Sequence, residues 1–149
     1  MFRLVTLTVF GLTFTIAASN QAAAHCQIPC GIYDDHNRVH QMKEDLTTIT
    51  KSVNQIISLS KKSDVQSKNQ LVRWVVNKEQ HAEKIIRTIS DYFMAQKIKP
   101  VSAKNVKAYK LYLQTLSRHH AVLVEAMKCK QSSKLSAVQD LRKAISAIE

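Results

Sequence analysis

The chain has 149 residues, a formal net charge of +11 and only two glycines and two prolines. That length admits one domain, with no internal repeat or low-complexity segment along it. The excess of Lys and Arg attracts anions without choosing among nucleic acid, an anionic membrane and a small anionic substrate, and no nucleic-acid-binding motif is present.

In chain order, Arg3 precedes the apolar and threonine-rich run LVTLTVFGLTFTIAA, a polar patch SNQ, and then Ala22, Ala23 and Ala24. These are the charged start, apolar stretch and small-residue cleavage site of a secretory signal peptide. The alternative is an uncleaved membrane anchor. Against it, threonines interrupt the run, it is short for a span, and no stop-transfer charges follow. A cut between Ala24 and His25 divides the chain into a removed leader, 1–24, and a domain, 25–149, in a periplasmic or extracellular location. The domain loses one basic side chain, Arg3, and keeps all 11 acidic ones, for a formal charge of +10. Its length, about 125 residues, suffices for one modest core. Export makes nucleic acid the least expected anionic partner.

The new terminus would read His25, Cys26, Gln27, Ile28, Pro29, Cys30. In an oxidising compartment Cys26 and Cys30 form a disulfide by default, with Cys129 left as a free thiol. The same residues also make a dense donor set. The freed α-amine of His25 has a reference pKa of about 7.7–8.0, so a metal displaces its proton readily. The amide nitrogen and thiolate of Cys26 extend the chelate, and the turn fixed by Pro29 can return the Cys30 thiolate to the same ion. Two nitrogens and two sulfurs in a plane suit nickel(II) or copper(II) and not tetrahedral zinc. The His25 imidazole is left for an axial approach. Thiolate and amidate donors push electron density onto such an ion and bring a nickel(III)/nickel(II) couple into biological range.

Beyond the hook the apolar positions step by three and four. Val39, Met42, Leu46, Ile49, Val53 and Ile56 predict an amphipathic helix of roughly six turns, with Asp34 and Asp35 placed to cap it. The polar cluster SKKSDVQSKN breaks the pattern. A second helix is predicted over 70–99, with Leu71, Val75, Ala82, Ile85, Ile89 and Tyr92 or Phe93 along its stripe and Pro100 ending it. The third stripe takes Val106, Tyr109, Leu113, Leu116, His120, Leu123 and Met127, and a weaker fourth takes Leu135, Val138, Leu141, Ile145 and Ile148. Nothing alternates with period two. The expected fold is all-α, an antiparallel four-helix bundle with an N-terminal metal-binding hook over 25–33.

His25, Cys26, Pro29, Cys30, Gly31 and Tyr33 form the pattern H-C-x-x-P-C-G-x-Y, which resembles the nickel hook of nickel-containing superoxide dismutases. The stretch RWVVNKEQHAEKIIRTISDYF is similar to that family's second helix. The resemblance implies a small four-helix bundle, assembled as a homohexamer, that disproportionates superoxide with one nickel ion per subunit. It implies the His25 amine and imidazole, the Cys26 amide nitrogen and thiolate, and the Cys30 thiolate as ligands. Tyr33 matches the tyrosine over the vacant face of the metal, Tyr92 with its neighbour Asp91 matches a second active-site tyrosine, and Lys128 matches a lysine near the entrance.

The chain departs from the family's pattern in its second layer. Gln27 stands where many members have an acid, and the glutamate and arginine that hold the axial imidazole elsewhere fall near His40 and on His81. His40 and His81 are therefore the candidates to orient His25. His119 and His120 are expected to be one core or interface residue and one exposed residue, His36 a solvated one, and Trp74 a packing or interface residue. A reading of a different class remains beside this one: a non-catalytic, exported cationic bundle with a Cys26–Cys30 disulfide that binds anionic surfaces. The basic excess would serve an enzyme by steering an anionic substrate. No membrane span is expected once the leader is removed.

Overall fold

The computed structural model describes residues 34–149, which belong to the second of two units of the chain, Gly31–Glu149. Asp34 stops the helix that follows it from fraying: its backbone is extended and its carboxylate accepts a hydrogen bond from the His36 N–H at 3.0 Å. Helix α1 (Asp35–Leu59) then buries Val39, Met42, Leu46, Ile49, Val53 and Ile56, the whole expected stripe.

Helix α2 (Val65–Arg87) begins inside the polar cluster, five residues before the expected start. The cluster contains its own cap: the Asp64 carboxylate accepts from the Ser67 N–H at 2.8 Å, so a polar first turn is stabilised without apolar periodicity. After Arg87 the chain continues as a π-helical run, Thr88–Lys97. The i to i+5 pattern persists to its end, where the Ile98 N–H donates to the Phe93 carbonyl at 2.8 Å. Helices α3 (Val106–Gln131) and α4 (Leu135–Ser146) complete the bundle, and Asn105 caps α3 by accepting from the Ala108 N–H at 3.2 Å.

The described residues contain helices and no strands. α1 packs against α2 and α4, and α3 packs against the same two, so the four helices form an antiparallel ring around one core. Ala82, Ile85, Ile89 and Phe93 face α1 residues across that core together with Val122, Ala126, Cys129, Val138, Leu141 and Ile145.

The third stripe needs correction in part: its Tyr109, Leu116 and Leu123 are half-buried, Leu123 against the core, but its other members are not. α3 turns His119, Val122, Ala126 and Cys129 inward, whereas Val106, Leu113 and Met127 are 76%, 46% and 42% exposed and His120 is also exposed. The helix has two apolar faces, and the one with smaller side chains takes the interior because it lets neighbouring helices approach closely.

The gap between Val75 and Ala82 in the second stripe is filled by a lysine. Lys78 is 2% exposed, and its ammonium donates to the carbonyls of Cys129, Lys130 and Ser132 at 2.7, 2.6 and 3.0 Å. These are carbonyls that the end of α3 leaves without helical partners. Burial pushes the Lys78 pKa down, with the charge of Glu79 and the Cys129 thiol opposing it. Lys78→Met keeps the stem and removes all three bonds, and should lower stability by roughly 2–3 kcal/mol, read as a lower midpoint in urea unfolding.

Candidate metal centre

His25, Cys26, Cys30 and Tyr33 lie outside the described residues, as does Gln27. The first described residues after them in the chain lie at the end of the bundle where α1 begins. There the π-helical run places Phe93 in the core, tilted against the His119 ring at 4.9 Å between centroids. Its neighbour Tyr92 turns toward the start of α1, where its hydroxyl donates to Asp35 Oδ1 at 2.5 Å. Lys97, five residues on, sets its ammonium 2.6 Å from Asp35 Oδ2. The Arg38 guanidinium stands over the Tyr92 ring, 5.5 Å from its centroid.

These contacts move the titrating groups in consistent directions. For Asp35 burial pushes the pKa up, but the Lys97 and Tyr92 hydrogen bonds and the Lys97 charge outweigh it and leave the carboxyl below its ordinary value. The hydrogen bond to Asp35, then burial, raises Tyr92, and the same carboxylate raises Lys97.

The candidate histidines sit further along. His81 Nδ1 lies 2.6 Å from Asp45 Oδ1 across the α1 to α2 seam, in a partly buried pair. His40 is exposed on α1, 3.5 Å from Glu44 one turn on. His81 is thus held by a carboxylate of α1, whereas His40 only stands beside one on the surface. Asp91 is exposed at the start of the π-helical run, accepting from the Ser90 hydroxyl at 2.8 Å. Lys128 is exposed one turn from the far end of α3, paired with Glu125 at 2.8 Å. Within one chain Tyr92 is brought to Asp35 and His81 to Asp45, while Lys128 stays on another helix, away from the Tyr92 end.

The partnerships of Asp35, Lys97, Arg38 and Asp45 are not legible in the sequence. Asp35 carries a capping signature, and nothing in its spacing names partners 57 positions away. His119 is buried with its Nδ1–H donated to the Thr115 carbonyl at 2.9 Å, and His120 is exposed, the expected pairing of one inner and one outer histidine.

Among the described residues no group of three His, Cys, Asp or Glu side chains could hold a metal ion. Comparison with protein families matches residues 20–149 to nickel-containing superoxide dismutase, a stretch that includes the hook and all four helices. The comparisons with curated proteins and with solved structures found no match. The chain belongs to the nickel-containing superoxide dismutase family and is thereby an oxidoreductase with a nickel cofactor and superoxide as its substrate. The residue types fit that ion: a histidine and two cysteines within residues 25–30 carry nitrogen and soft sulfur donors of the kind that suit nickel.

Cys129 is set apart from this chemistry. It is buried in the core, and burial pushes its thiol up to about 11. In the folded protein at pH 8 it should label with a maleimide on the order of 100-fold more slowly than in urea, as followed by peptide mass mapping.

Proposed function

We propose that the chain is exported, cut after Ala24, and holds one nickel ion per subunit through the His25 amine and imidazole, the Cys26 amide nitrogen and thiolate, and the Cys30 thiolate. The observation that carries this reading is a conjunction. The family is nickel-containing, the matched region includes residues 25–30, and the described helices offer no competing cluster of ligands. The family match begins at residue 20, so most of the apolar leader lies outside it. When bound, nickel supplies a one-electron couple between its divalent and trivalent states, by which superoxide is disproportionated to dioxygen and hydrogen peroxide.

The chain's own residues do the rest. Tyr33 and Tyr92 border the site and restrict it to small molecules. His81, fixed by Asp45, and His40, beside Glu44, are the groups we assign to orienting the His25 ring. Asp91 supports the Tyr92 turn, and Lys128 with the wider basic surface draws the anionic substrate toward the protein. The outward apolar face of α3, with Val106, Leu113 and Met127 exposed, supports assembly through subunit contacts, for which a homohexamer is the family's arrangement.

Mass mapping and nickel analysis of the purified exported protein test this directly. The expected result is an N-terminus at His25 and one nickel per chain, with Cys26→Ser and Cys30→Ser each losing both nickel and dismutation. An N-terminus elsewhere, or serine variants that keep their nickel, would overturn the assignment.

A further inference from the structure

Tyr92 is one of four tyrosines in the chain, and it meets a carboxylate that family resemblance does not assign. Its hydroxyl has one hydrogen, and at 2.5 Å from Asp35 Oδ1 that hydrogen lies in a short, charge-assisted bond. Lys97 holds the carboxylate in place from its other oxygen at 2.6 Å, and Asp35 is the first residue of α1, on a backbone fixed by the Asp34 cap. The carboxylate thus faces Tyr92 from a rigid element, five residues after Cys30 in the chain.

We propose that Asp35, anchored by Lys97, is a positioning residue for Tyr92: it takes the phenolic hydrogen, so that Tyr92 offers lone pairs to whatever stands on its other side. A tyrosine held in this way accepts a hydrogen bond at the site and is not the ready donor of the proton that peroxide formation consumes. That proton then comes from water or another group. The proposal rests on the reading that Tyr92 borders the nickel site, and it adds the direction in which its hydrogen bond runs.

Among the described residues, Asp35 and Arg38 meet Tyr92 from the start of α1, and Asp91 and Lys97 share its π-helical run, with Asp34 acting on Lys97. His119 of α3 touches Phe93, and at the end of α4 Glu149 is engaged by Lys43 at 2.5 Å. Of these, Asp35 makes the direct contact and favours the neutral phenol, whereas Lys97 and Arg38 favour the phenolate.

The test is a pH titration of the tyrosine ring carbons by carbon-13 NMR on the nickel-loaded protein, with Tyr92→Phe assigning the Tyr92 signal. In the unaltered protein Tyr92 should ionise above the ordinary phenol range. Asp35→Asn should bring it down, and Asp35→Glu should restore the raised value. A Tyr92 that titrates at or below the ordinary range in the unaltered protein overturns the proposal, as does one whose titration is the same in folded Asp35→Asn. Turnover measured across the same pH range separates this from the parent reading. If the Tyr92 signal shifts with Asp35 and the alkaline limb of kcat/KM shifts with it, both stand. If the signal shifts and the limb does not, Asp35 still positions Tyr92, and the place of Tyr92 in the reaction is what fails.

Discussion

Asp35 joins the beginning of one helix to the end of the next. One of its oxygens receives the Tyr92 hydroxyl and the other lies against Lys97, so a single carboxylate ties the π-helical end of the second helix to the start of α1. The remainder of the structure serves that junction. The capped start of α1 holds the carboxylate, and the wider π-helical turn lets Phe93 anchor in the core while its neighbour Tyr92 reaches outward. The four-helix core below keeps both elements from shifting relative to each other.

The helices were legible where burial follows a single stripe. In α1 every expected apolar position is buried, because that helix faces the core on one side only and its other side is polar. α3 misled the periodic reading because it has two apolar stripes, and the larger side chains lie on the outer one. Spacing measures amphipathicity; it does not say which face meets the core. The same limit explains Lys78, whose charge argues for the surface until the carbonyls at the end of α3 are seen to surround it.

The site divides along the same line. The donors proposed for nickel are local in the sequence: an amine, an amide, an imidazole and two thiolates lie within six consecutive residues, His25 to Cys30. The site's surroundings are not, because they depend on contacts across the bundle. His40 and His81, the residues proposed to orient the His25 ring, stand beside Glu44 and Asp45. Nothing in the spacing of Glu44 or Asp45 along the sequence marks either as a histidine's partner.

The proposed binding of nickel by residues 25–30, through sulfur as well as nitrogen, is addressed most directly by nickel-edge X-ray absorption on the purified protein. The account predicts two sulfur scatterers in the metal's first shell with the remaining donors nitrogen, and loss of one sulfur's contribution when either Cys26 or Cys30 is replaced. A first shell of nitrogen and oxygen alone, unaffected by those cysteines, would contradict it.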